Sequence, residues 1–238
     1  MLLIIRADVE IGRGDFDGAG AHLDAAPATL REDRGLGIYD AYLAELALWE
    51  RRWADADEAV RDGLARARSR SAAQIRVWLC GLGLRAQAEL AALAHARHDA
   101  DAVRDRLSRA RKLLAAARRA AAEASAVTPN AAGWRALAEA EHERARGEAR
   151  PGAWSEAAAI WERLGRPPLA AYCRWRQAEA LVAAGASRAE ASEPLRQAHA
   201  VAARIGAKPL LKSSSCLPNA RGSISRRRTR GRPTESRA

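Results

Sequence analysis

His95 and His98 stand three residues apart in the stretch HARHDAD, with Asp99 and Asp101 beside them. Two imidazoles at that spacing share a helix face and are a familiar start to a metal site. No second motif supplies a third ligand, and the stretch reads as a polar helix end. Glu139, Glu141 and Glu143 surround His142, the residue types of acid–base catalysis. Adjacent and alternate helix positions point apart, so these four do not converge on one substrate atom. Cys173 lies between Tyr172 and Arg174. A neighbouring cation favours a thiolate, but a cysteine in an alanine-rich helix reads first as a packing group. The chain contains neither a GxSxG nucleophile elbow nor an HExxH zinc motif. We expect no enzyme, no cofactor and no metal.

Arginine is the other chemistry-bearing residue. The run RRRTRGR places Arg226, Arg227, Arg228, Arg230 and Arg232 close together. Such a run neutralises nucleic-acid phosphates in a salt-sensitive, sequence-blind way. No aromatic interleaves it, so base stacking is not expected, and a solvated tail is the plainer reading. Arg135, Arg174 and Arg176 lie on stretches with helical character. A row of such side chains would hold the carboxylates of a peptide or of a small acidic ligand.

These residues need elements to position them, and the composition says which. Of 238 residues, 48% are hydrophobic, and much of that is alanine, the strongest helix former and a small one. No stretch alternates apolar and polar over a strand's length. The expected fold class is all-α. Three places share a pattern of an aromatic followed three residues later by alanine: Phe16 and Ala19, Trp53 and Ala56, Trp154 and Ala157. Four residues on come Leu23, Val60 and Trp161, and seven on come Ala26, Gly63 and Leu164. Ala191, Leu195 and Ala198 repeat the pattern without its aromatic. Offsets of four and seven share one helix face.

The spacing from Ala157 to Ala191 is 34 residues, and from Ala19 to Ala56 it is 37. A small residue with larger partners at these offsets, repeating near 34, resembles the second helix of a tetratricopeptide (TPR) repeat. It implies about five helical hairpins stacked over residues 1–207. The partner helices are expected in YLAELALWERR and GWRALAEAEHERARGE, and in a stripe of Tyr172, Trp175, Ala178, Leu181 and Val182 ended by Gly185. Trp161 and Trp175 read as pegs in an alanine wall, with the arginines mostly on the opposite, solvated face. Pro167 and Pro168 mark a helix start. Val103, Leu107, Ala110, Leu114 and Ala117 predict one long helix of about seven turns, inside a unit over 82–127 that departs from the repeat. Pro194 predicts a helix that starts at Glu193 or kinks.

The formal net charge is +11, but residues 208–238 hold two lysines and seven arginines against one glutamate, a net +8 that leaves +3 for residues 1–207. Serine, arginine, glycine and proline dominate there and periodicity ends. We read 208–238 as a disordered basic tail. Cys80, Cys173 and Cys216 are too far apart for a disulfide framework. The opening MLLIIRADVE holds too few apolar residues for a signal sequence or a membrane span. A cytoplasmic protein without membrane contact is expected.

WERLGRPPLAAYCRWRQAEALVAAG, from Trp161, and LRQAHAVAARIGAKPL, ending at Leu210, resemble the helical sensor region of LuxR-type transcriptional regulators of actinobacteria that carry an ATPase module. The likeness is specific over residues 161–210 and generic before them. In that family the region lies between a P-loop ATPase and a DNA-binding helix-turn-helix, and relays ligand or partner binding to transcription. Neither neighbour is legible here. The three lysines, Lys112, Lys208 and Lys212, follow no GxxxxGK[ST] pattern, and the tail lacks a helix-turn-helix pattern. Both ends therefore read as truncated, with a shifted frame as the origin of the tail. The resemblance implies a non-catalytic scaffold whose contact with DNA is indirect. A freestanding TPR-type adaptor for a peptide or acidic partner, and nucleic-acid binding through the tail, are the alternatives.

Overall fold

The structure is a computed structural model that describes residues 2–27, 37–124 and 129–214; Arg226, Arg227, Arg228, Arg230 and Arg232 lie outside them. Eleven α-helices and no strand occur among the described residues. They are α1 (Leu2–Arg13), α2 (Phe16–Asp24), α3 (Ile38–Trp49), α4 (Trp53–Arg66), α5 (Ala73–Ala96), α6 (Ala100–Ala124), α7 (Asn130–Ala145), α8 (Pro151–Arg163), α9 (Pro167–Ala183), α10 (Arg188–Ile205) and α11 (Lys208–Ser214). A single 3₁₀ turn, Arg70–Ala72, leads into α5. Successive helices pack on one another, and α5 also packs broadly against α7. The short connections make most neighbours antiparallel.

The alanine pattern marks α2, α4, α8 and α10. Ala19, Ala56, Ala157 and Ala191 are all fully buried, and Leu23, Val60 and Trp161 are buried four residues on. A methyl group at each alanine lets the next helix close in, and the larger residue one turn later fills the space beside it. Gly37 shows how tight this becomes. It caps α3 at φ 68°, and a Cβ there would come 2.6 Å from the carbonyl oxygen of Gly63 in α4. Only glycine meets both demands.

The long helix arrives as expected: α6 runs 25 residues, with Ala110, Leu114 and Ala117 buried. Its partner α5 is apolar around most of its circumference and contacts α3, α4, α6 and α7. A helix without a polar face has to be surrounded. Ion pairs pin neighbours to one another. Asp57 of α4 accepts from Arg109 of α6 at 2.6 Å, and Asp40 of α3 pairs with Arg66 of α4.

Two expectations need correction. The folded part does not end at residue 207. α11 continues it to Ser214, with Leu210 and Ser214 only 3% and 4% exposed. α11 lies against α9, α10 and α1, and Pro209 abuts Gly14 at the end of α1. The apolar triplet Pro209, Leu210 and Leu211 supplies this contact, which the surrounding charge concealed. Of the two readings of Pro194, a start at Glu193 or a kink, the start is excluded, because α10 begins at Arg188. Ser187 and Glu190 form a capping box, with 3.2 Å and 2.8 Å bonds to each other's backbone N–H. The cap fixes the start, and Pro194 is carried inside the helix, buried.

Candidate functional site

The aromatic residues form a connected wall. Tyr42 of α3 meets Trp78 of α5 at 5.0 Å between ring centroids, Trp78 stacks on Trp134 of α7 at 5.9 Å, and Trp134 meets Trp161 of α8 at 5.3 Å. A second group centres on Tyr172 of α9, which touches Trp49, Trp154 and Trp175. Two of the large rings stand against glycines in α5 and α7. A Cβ on Gly81 would come 2.9 Å from Trp134, and one on Gly133 would come 2.7 Å from Trp161. The glycines therefore set the positions of the indoles.

These rings border a cavity of about 490 Å³, within the usual range for small-molecule sites. Its lining comes from every odd-numbered helix, joined by Trp161 of α8 and Ile205 at the end of α10. No residue of α2, α4 or α6 takes part. α11 contributes Pro209 and Leu210, and α1 contributes Asp8 and Gly12, so the two ends of the described chain meet across the cavity.

Arg85 is the charged residue set deepest in this wall. Its guanidinium carbon lies 4.3 Å from the ring centre of Trp49 and 4.4 Å from that of Tyr172. The planar cation is held between two π faces. Among the described residues its Nε has no hydrogen-bond partner, although the residue is only 8% exposed. Glu45 and Asp8 line the same space and form no ion pair among the described residues. Burial, and then the charge of Asp8, push the Glu45 carboxyl up to about 7 against the pull of Arg85. Burial raises Asp8 as well, with Arg166 opposing. Tyr42 is raised by burial, Asp8 and Glu45.

Behind the cavity a buried network ties α5, α7 and α9 together. Glu141, fully buried, accepts from Arg144 Nε at 2.7 Å and from the Tyr172 hydroxyl. Glu89 accepts from Arg176 at 2.5 Å and pairs with Arg144 at 3.2 Å. Arg176 also donates to Tyr172 Oη at 3.1 Å and to Glu179 at 2.7 Å. Burial alone would raise Glu89, but Arg144, Arg176 and Arg85 outweigh it and hold the carboxyl down at about 2. Opposite charges and satisfied donors make this a fixed strut.

The three arginines expected to share a binding face do not share one. Arg176 is 7% exposed and spent on the network. Arg174 turns to Glu162 of α8, 2.9 Å away. Arg135, half-exposed, lies 3.7 Å from Glu139 on its own helix. The general placement of arginines in water fails for Arg85, Arg144 and Arg176, which the aromatic cluster and its glutamates draw inside. Trp161 is buried as expected, whereas Trp175 is only partly covered and lies beneath Arg176 at 4.1 Å. Glu139, Glu141 and Glu143 do point apart, to Arg118, Arg144 and Arg150. His98 takes a left-handed φ of 56° after α5, and Asp99 caps α6 through the N–H of Ala102 at 2.9 Å. Among the described residues no cluster of three metal-ligating side chains occurs. Both Cys80 and Cys173 are buried, with thiol pKa values pushed up by burial, Cys80 to about 12. Among the described residues no helix is long and apolar enough to cross a membrane.

No protein-family model, curated protein or solved structure matches the chain.

Proposed function

We propose that the chain is a non-catalytic binding scaffold, a TPR-like array of five helical hairpins that takes up a small molecule on its inner side. The observation that carries this reading is the division of labour among the helices. The odd-numbered helices line the aromatic cavity, while α2, α4 and α6 stay outside it. In a superhelix of hairpins the first helices form the concave face and the second helices the outer layer. Contact between α11 and α1 closes the cavity's rim, which favours a compact ligand over an extended peptide. The resemblance over residues 161–210 supports a sensor role like that of the helical region of LuxR-type regulators, with DNA engaged only indirectly.

Gly12 offers a direct test. It lines the cavity, and a Cβ added there meets nothing within 4 Å. Gly12→Phe should fill the space without distorting α1, and should leave Tm equal or higher, since glycine is a poor helix former. Thermal denaturation of the full chain against a library of small compounds, followed by calorimetry, should find saturable binders that the Gly12→Phe protein has lost. A library without binders, or binders indifferent to Gly12→Phe, refutes the reading. Sequencing outward from the coding region tests the regulator resemblance. A P-loop ATPase upstream and a helix-turn-helix downstream in another frame support it, and intergenic DNA on both sides counts against it.

A further inference from the structure

The cavity wall is rich in donors and poor in partners for them. Arg85 lines it with an unpartnered Nε. The indole N–H groups of Trp78 and Trp161, two more lining residues, are also buried without an acceptor. The formal charges agree. Arg13, Arg85 and Arg166 line the cavity against Asp8 and Glu45. Each acid already feels an arginine across the space, Asp8 feeling Arg166 and Glu45 feeling Arg85. The opposite choice, an organic cation held by the two carboxylates, would set a second positive charge beside Arg85. The remaining surface is flat and aromatic, built from Tyr42, Trp78, Trp134 and Trp161.

Resting on the small-ligand reading above, we infer that the cavity binds a flat aromatic carboxylic acid, its ring system against the indole wall and its carboxylate on the Arg85 guanidinium. The two planar faces of Arg85 are taken by Trp49 and Tyr172. Its edge, where the N–H groups lie, is what a carboxylate recognises. The stacked rings hold that edge in place before the ligand arrives, so little ordering is required on binding.

Three naphthalene probes of similar shape separate the alternatives: 2-naphthoate, the neutral 2-acetonaphthone, and the 2-naphthylmethylammonium cation. Isothermal titration calorimetry on the full chain should show saturable binding of 2-naphthoate about tenfold or more tighter than of the cation. Arg85→Gln should weaken 2-naphthoate about tenfold and leave 2-acetonaphthone within about threefold. The wild-type comparison needs no variant to fold. Retained 2-acetonaphthone binding shows that the substituted protein has kept its cavity. Equal or tighter binding of the cation overturns the inference and leaves the scaffold reading standing. So does an Arg85→Gln protein that loses the neutral and anionic probes alike, because Arg85 would then be a structural prop. Failure of all three probes overturns the inference, while the small-ligand reading stands or falls with the compound library.

Discussion

Replacing Glu45 with glutamine removes an ionisable group from the cavity while keeping its shape. In the unfolded chain this carboxyl ionises near 4.5; in the folded protein burial and Asp8 carry it to about 7, with Arg85 pulling the other way. The native state therefore holds a proton that the unfolded state releases, and stability falls as pH rises from 4.5 to 7. Below that window both states are protonated and the residue costs nothing. Above it the full penalty stands, at most about 3 kcal/mol from the difference between the two pKa values. Glu45 is only partly covered and keeps some hydration in the cavity, so about 2 kcal/mol is the expected figure. Asp8 from α1, Arg85 from α5 and Tyr42 on α3 itself are the groups facing it. Urea unfolding of both proteins at pH 4, 6 and 8 reads the effect as a shift in midpoint at constant slope. The Glu45→Gln protein should match the wild type at pH 4 and exceed it at pH 8. A variant equal to or weaker than wild type at pH 8 would refute the burial argument.

Gly133→Ala reverses an ordinary expectation. Alanine normally stabilises a helix interior, but here its Cβ would press on the ring of Trp161 at 2.7 Å. A loss of about 1–3 kcal/mol with a changed tryptophan emission spectrum is expected, and a gain in stability would refute the packing account. Glu141→Ala removes the carboxylate that Arg144 Nε and the Tyr172 hydroxyl donate to, leaving Glu89 to face Arg144 and Arg176. It should cost about 3–5 kcal/mol in urea unfolding, and adding Tyr172→Phe should cost less than additively. In a Cys216→Ser background, Cys80 and Cys173 should be silent to a thiol reagent until denaturant is added, because both are buried and pushed away from the thiolate.

The legible part of the fold was what repeats locally. Ala19, Ala56, Ala157 and Ala191 share a spacing because each meets the same local demand, close approach of the next helix. Caps are also local, as Gly185 and Gly206 show, at φ 77° and 70° where α9 and α10 end. The helix over residues 208–214 is hidden because its stability comes from packing on other helices, chiefly α10 but also α9 and α1, the last about 200 residues away in the chain. Its own sequence offers seven residues with two lysines and a proline, too short to hold a helix alone.

The cavity was harder to foresee, for a related reason. Arg135, Arg174 and Arg176 read in the sequence as arginines on exposed helix faces. Arg85 carries a different signal in its surroundings. It sits in VWLCGLGLRAQAELAAL, a run with almost no polar face. A helix like that is surrounded on all sides, so an arginine in its middle has to be buried and matched by rings or carboxylates. The matching partners, Trp49 and Tyr172, lie 36 and 87 residues away in the chain. Periodicity reports on one helix at a time, and this site is assembled from eight. The same argument favours a ligand-binding role for Arg85 over a purely structural one. Glu89 and Glu141 neutralise Arg144 and Arg176 by direct ion pairs, whereas Arg85 is given π faces and an unpartnered Nε. In one buried cluster, two arginines are closed by carboxylates and the third is left open at the cavity wall, where an incoming carboxylate completes the set.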